Sequence, residues 1–115
     1  HNAFGINLYN SDKTTIKNSY IHTNGLGIYA RNTDKLKIIN NAISDHNQDG
    51  GGCWIFNSKN TEIDNCNIDH NGAGIKLKNT DIKITNSNLF YNESIIEQDS
   101  NLFSWKCWKH WPSTP

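Results

Sequence analysis

Methionine and valine are absent from this 115-residue chain, and arginine occurs once, as Arg31. Only 35% of the residues are hydrophobic. No apolar run approaches the roughly 18 residues that a membrane span needs, so a helical span is excluded. Eleven basic side chains balance eleven acidic ones, and no overall charge draws the chain to nucleic acid or to an anionic membrane. So little apolar content would suit a disordered chain, but zero net charge and aromatic residues spread along the sequence argue against disorder. No charged-then-apolar leader precedes the first residues. A chain that opens on His1 is expected to be a processed product or a piece of a longer protein. Asn, Ile and Lys dominate what remains. AT-rich codons would account for that choice of residue types, but not for their spacing.

The spacing shows internal repetition. Gly5-Ile6-Asn7-Leu8-Tyr9-Asn10-Ser11, Gly27-Ile28-Tyr29-Ala30-Arg31-Asn32-Thr33, Gly52-Cys53-Trp54-Ile55-Phe56-Asn57-Ser58 and Gly74-Ile75-Lys76-Leu77-Lys78-Asn79-Thr80 align. Each is followed by an isoleucine, an asparagine two residues on, and a further aliphatic residue. The period is 22, then 25, then 22 residues. Within each unit apolar and polar residues alternate, which is the strand period. Asn and Gly interrupt the runs at fixed places, and these residue types tolerate turns with positive φ. Each unit therefore reads as three short strands joined by tight bends. One unit cannot bury its own inward face, but stacked units can. Stacking predicts three inward columns: Ile6, Ile28, Cys53 and Ile75; Ile16, Ile38, Ile63 and Ile84; Ile21, Ile43, Ile68 and Leu89. It also predicts a ladder of Asn18, Asn40, Asn65 and Asn86, each amide bonding its neighbours and satisfying polar groups that a buried turn would orphan.

This G-I-x-L-x-N-S/T…I-x-N…I…N-G pattern resembles the right-handed parallel β-helix repeats of the pectate-lyase-like superfamily. The resemblance covers residues 4–92. It implies an all-β fold, a solenoid of about four coils of 22–25 residues over residues 1–92, with an irregular aromatic cap or tail at 93–115. It also implies an extracellular, cell-surface or periplasmic location. The superfamily includes polysaccharide lyases, glycoside hydrolases, uronate epimerases and surface adhesins, so function is not read from the repeats alone. Four coils would span only about 19 Å, and uncovered end strands invite pairing with another chain or with further coils.

Alternation turns Asn7, Tyr9, Tyr29, Arg31, Trp54, Phe56, Lys76 and Lys78 outward on one sheet face. A solvated face has no need of four aromatic rings, and exposed apolar patches mark binding surfaces. Rings stack on the C–H faces of sugars, and Arg31, Lys76 and Lys78 suit carboxylates or sulfates. Tyr9, Tyr29, Trp54, Phe56, Lys76 and Lys78 are thus the candidate substrate-binding residues for an acidic polysaccharide. The superfamily's enzymes bind substrate along such a face. Packing against further protein is the competing reading of the same rings.

The bend before each next first strand reads His22-Thr23-Asn24, Asp45-His46-Asn47, Asp69-His70-Asn71 and Phe90-Tyr91-Asn92. Alignment on the asparagines stacks His46 on His70 and puts Asp45 in a column with Asp69. Histidine moves protons near neutral pH, and a neighbouring carboxylate orients it. A His and Tyr pair beside a basic face resembles the machinery of uronate epimerases and lyases, which remove the proton alpha to a sugar carboxylate. In that reading Arg31 or a bound cation neutralises the carboxylate, and His46, His70 or Tyr91 carries the proton. No intact lyase, hydrolase or epimerase signature is present. Asp45, Asp49 and Asp69 are the candidate metal ligands, with Ca2+ the cation that their oxygens suit, and lyases of the resembling fold use calcium.

Cys53 falls in an inward column, Cys66 beside the asparagine ladder, and Cys107 outside the repeats; a bridge between the first two is conceivable but not required. Phe103, Trp105, Trp108 and Trp111 suit a cap over the last coil. Two functions compete. One is a β-helix that binds and processes an acidic polysaccharide in a lyase- or epimerase-like reaction. The other is a non-catalytic solenoid, an adhesin stalk or a self-stacking filament subunit. A periplasmic metal-handling module, suggested by the histidines, is the third.

Overall fold

The computed structural model of the chain describes residues 2–44, 50–90, 92 and 94–98. Every regular element among them is a strand. The first coil contains β1 (Phe4–Tyr9), β2 (Thr15–Lys17) and β3 (Tyr20–His22), and the second contains β4 (Leu26–Arg31), β5 (Lys37–Ile39) and β6 (Ala42–Ser44). The third contains β7 (Gly51–Phe56), β8 (Thr61–Asp64) and β9 (Asn67–Asp69), and the fourth β10 (Ala73–Lys78), β11 (Ile82–Thr85) and β12 (Asn88–Phe90). A final strand, β13 (Ser94–Gln98), lies beside β10. Equivalent strands pair in parallel and in sequence order, which gives one five-stranded and two four-stranded sheets. The chain is a parallel β-solenoid. It runs on past Asn92, where the sequence pattern ends: Ile75 pairs with Ile96, so the first sheet gains a fifth rung.

The register is the predicted one. Ile6 pairs with Ile28, Ile28 with Cys53 and Cys53 with Ile75. Ile16, Ile38, Ile63 and Ile84 form the second column, and Ile21, Ile43, Ile68 and Leu89 the third. Together they make one continuous core. Ile28, Ile38, Ile43, Ile63, Ile68, Ile75 and Ile84 are completely buried. Each such side chain contributes about 1.5–3 kcal/mol by leaving water.

The corners are built differently from the sequence expectation. Positive φ is carried by side-chain-bearing residues, not by glycine: thirteen described residues have it, nine of them asparagine, and no described glycine does. At two corners of every coil an asparagine takes this conformation: Asn10, Asn32, Asn57 and Asn79 after the first strand, Asn18, Asn40, Asn65 and Asn86 after the second. Asparagine tolerates the left-handed region because its short amide bonds locally. Thr23 and His70 hold the same geometry at the third corner.

The asparagine ladder exists in part and lies on the surface. Asn40 Nδ2 donates to Asn18 Oδ1 at 2.7 Å and Asn65 Nδ2 to Asn40 Oδ1 at 3.3 Å, but Asn86 donates to Asp64 Oδ1. At several corners the buried turn groups are satisfied instead by the residue that follows the left-handed one. After the first strand, Thr33 N donates to Ser58 Oγ at 3.0 Å, and Thr80 Oγ1 donates to the carbonyls of Ile55 and Lys78. After the second, Ser19 N donates to Asn41 Oδ1, Asn41 Nδ2 to the Ile16 carbonyl, and Cys66 N to Ser87 Oγ. At the third corner Asn71 N donates to Asn92 Oδ1, and Asn92 Nδ2 to the Ile68 carbonyl. In the second to fourth coils the corner asparagines Asn32, Asn40, Asn57, Asn65, Asn79 and Asn86 are each followed by a buried residue, Thr33, Asn41, Ser58, Cys66, Thr80 and Ser87.

Glycine at the strand start has a different purpose. A Cβ on Gly52 would sit 2.7 Å from the Gly74 carbonyl oxygen and 2.8 Å from Ile68 Cγ2 in the core. Gly52 thus faces inward, as does its neighbour Cys53, and strict alternation breaks there. A Cβ on Gly51 would meet the Trp54 ring outside. The break is what turns the position before each inward glycine toward the outer face.

Two outcomes test the core and the corners. Ile38→Asp and Ile63→Asp each bury an unpaired charge, and both variants should lose the β-sheet circular dichroism signal. Asn40→Val should lower the unfolding free energy by about 1–3 kcal/mol in urea titrations, because a β-branched residue is strained at that φ; Asn40→Gly should lose less.

Candidate functional site

The outer face of the first sheet gathers side chains from successive rungs. Tyr9, Arg31, Phe56 and Lys78 occupy one register column, and Asn7, Tyr29, Trp54 and Lys76 the next. Tyr29 is the centre. Its ring stacks on Phe4 at 5.4 Å between centroids and meets Trp54 at 6.2 Å and Phe56 at 5.8 Å edge-on. Trp54 and Phe56 stack at 6.1 Å. Such pairs add about 0.5–1.5 kcal/mol beyond area burial. The cations sit on the rings: the Arg31 guanidinium lies 4.6 Å from the Tyr29 centroid and 5.0 Å from Tyr9, and Lys76 Nζ 4.5 Å from Trp54.

The rings therefore cover one another. Tyr29, Arg31, Trp54, Phe56 and Lys76 are half-buried, while Tyr9 and Lys78 are exposed. The face is a packed aromatic layer with basic groups on it, rather than four rings standing in solvent. Two donors buried in this layer, Arg31 Nε and Trp54 Nε1, have no hydrogen-bond acceptor among the described residues. Simple alternation missed Phe4, because it counts Phe4 on the side of Ile6. The inward glycine after it breaks the alternation and frees its ring to reach Tyr29. The signal was present as a large ring in the place that Leu26 and Gly51 take in later coils.

The one described acid–base candidate, His70, is placed apart from Arg31. Asp69 ends β9, and His70 follows at a left-handed bend ahead of β10. His70 Nδ1 donates to Asp69 Oδ2 at 2.5 Å. The Asp69 carboxylate holds the imidazole through its Nδ1 proton, and the pair has the form of an oriented histidine. Arg31 closes β4 at the opposite end of the same sheet. Five strand steps separate the two ends, about 16 Å. The structure does not bring Arg31 and His70 to one sugar ring. His46, Tyr91, Asp45 and Asp49 lie outside the described residues.

The strand register also revises one column. His22 pairs with Ser44 and Ser44 with Asp69, so Ser44, not Asp45, shares the Asp69 column. Alignment on Asn47 failed here because backbone register, not residue type, sets the rung. Of the three candidate metal ligands only Asp69 is described, and its carboxylate bonds His70. Among the described residues no group of three or more His, Cys, Asp or Glu side chains could hold a metal ion.

Cys53 and Cys66 are both free thiols, so the conceivable bridge is not made. Cys66 takes the buried corner position that Ser87 fills in the next coil, and its Sγ donates to the Ile38 and Asp64 carbonyls at 3.4 Å. Burial pushes both thiols above the ordinary value of 9.0.

Residues 1–104 match the family model described as the right handed beta helix region. The chain belongs to this right-handed β-helix family. Comparison with curated proteins found no match.

The thiols supply a pH test with a definite sign. In the folded state both keep their protons beyond the pH at which unfolded cysteine ionises. Their contribution to stability is complete below about pH 9 and declines as pH rises above it. The variant Cys53→Ala with Cys66→Ser should show a shallower loss of unfolding free energy on the alkaline side. Iodoacetamide should leave Cys53 and Cys66 unmodified in the native chain and alkylate both in denaturant, as read by peptide mass spectrometry.

Proposed function

We propose that this chain is an extracellular β-helix domain whose first-sheet face grips an acidic polysaccharide. The observation that carries the reading is the layer of Phe4, Tyr9, Tyr29, Trp54 and Phe56 with Arg31, Lys76 and Lys78 set over or beside it. The rings offer flat apolar surface to sugar C–H faces, and the cations offer charge to carboxylates or sulfates. β1, β4, β7 and β10 carry no acidic residue on this face; on the fifth rung Glu97 follows Lys76 in the register. Arg31 Nε and Trp54 Nε1 are donors that an oxygen-rich ligand wedged among the rings would satisfy. The separation of Arg31 from His70 counts against a reaction in which those two residues act on one uronate, and binding is the reading that the layer itself supports.

Chromatography on immobilised alginate, pectate and a glycosaminoglycan tests this. Retention is expected, weakening with salt, and Lys76→Ala with Lys78→Ala should elute at clearly lower salt. No retention on any of the three would sink the proposal. An unsaturated sugar product, seen by ultraviolet absorbance, would instead establish turnover.

A second reading rests on the first coil. Ile6 and Leu8 are only partly buried where Ile28 and Ala30 are fully covered, and β1, β2 and β3 are the edge strands of their sheets. This edge suits another coil, from a second copy or a longer chain, as in a stalk or filament. Sedimentation that stays monomeric across a hundredfold range of concentration would count against self-stacking.

A further inference from the structure

A trough of about 440 Å³ runs along the corner between the second and third sheets, away from the first-sheet face. One wall is the surface ladder of Asn18, Asn40, Asn65 and Asn86. The other includes Asn67 and Asn88, with Asn88 Nδ2 donating to Asn67 Oδ1 at 3.0 Å. Ala42 lies beside Asn67 in the register, and at the first-coil end stands Tyr20, 62% exposed, its ring stacked on His22 at 4.3 Å. None of the lining side chains is charged, in a chain where 19% of residues are.

The chemistry of the walls selects a ligand class. An amide has two N–H donors and a carbonyl with two lone pairs. In the ladder Asn40 uses one donor on Asn18 and one lone pair on Asn65. One N–H and one lone pair remain to Asn40 for the trough. The wall thus presents donors and acceptors side by side, repeated every rung, about 4.8 Å. Hydroxyl groups, which donate and accept together, match that surface. A carboxylate or phosphate, which only accepts, would face amide carbonyls without any cation to offset them. Tyr20 adds an exposed flat ring against which a sugar face can stack.

We propose that this trough is a separate binding site for a neutral, hydroxyl-rich saccharide chain. It is independent of the acidic-polysaccharide reading, because it shares no residue with the first-sheet face. The site would let the solenoid hold a neutral glycan along its axis, one sugar against each rung.

The test uses the full chain labelled with 15N and titrated with cellohexaose, xylohexaose and maltohexaose. At least one should shift the side-chain amide signals of Asn40, Asn65, Asn67 and Asn88 and leave the Trp54 indole signal in place. Tyr20→Ala, at an exposed position, should bind that probe about tenfold more weakly. Asn67→Asp keeps the acceptor for Asn88 while removing the outward donor, and should weaken binding by a similar factor. No shift with any of the three at millimolar concentration, shifts confined to the first-sheet face, or unchanged affinity in Tyr20→Ala would each overturn the proposal. An oligogalacturonate titration read at Trp54 reports the other site, so the two proposals fail separately.

Discussion

The backbone must turn three corners per coil without leaving an unpaired amide inside, and this requirement shapes most of the molecule. Straight segments pair through parallel ladders, but a corner has to reverse curvature within two or three residues. Here the turn is made by a residue with positive φ, usually asparagine, and the polar groups it exposes inward are taken up by the next side chain. Because that side chain bonds backbone of the same or a neighbouring coil, each corner also locks the stacking register. The core columns of isoleucine then follow, since register decides which side chains lie over one another.

The same register builds the outer surfaces. Placing Tyr29 between Asn7 and Trp54 brings three rings, Tyr29, Trp54 and Phe56, into mutual contact. The inward glycine before the first apolar position adds Phe4 to that group by breaking the alternation. Repetition at the second corner makes a different surface, an amide wall without charge. One solenoid thus carries an aromatic and basic face on one side and a neutral polar trough at the corner between its other two sheets. Their chemistries differ because the residues facing outward at each place differ, while the backbone beneath them repeats.

Much of the fold was legible in the spacing. A residue that recurs every 22 or 25 positions between alternating neighbours marks one strand position in successive coils, and all three aliphatic columns could be aligned without coordinates. The candidate face could be named as well, from the outward positions of one strand. What escaped was anything that depended on contact. The half-burial of Trp54 and Phe56, the Arg31 guanidinium between two tyrosines and the ring of Phe4 are outcomes of packing. The column of Asp69 was misaligned because residue identity suggested an alignment that hydrogen-bond register did not follow: Ser44 is the residue paired with Asp69. The fifth rung at Ser94–Gln98 was hidden because its segment lacks the glycine and corner asparagine that marked the others.

From the order of its residues alone, this chain determined its coil length, its inward columns and the positions of its turns, since each depends on local pattern and on the two-residue period of a strand. The tertiary structure decided which polar side chains close the corners and which amides remain on the surface. It also decided that Arg31 and His70 stand at opposite ends of one sheet. Those outcomes are distances between residues in different coils, and a distance across coils exists only once the backbone has wound and stacked.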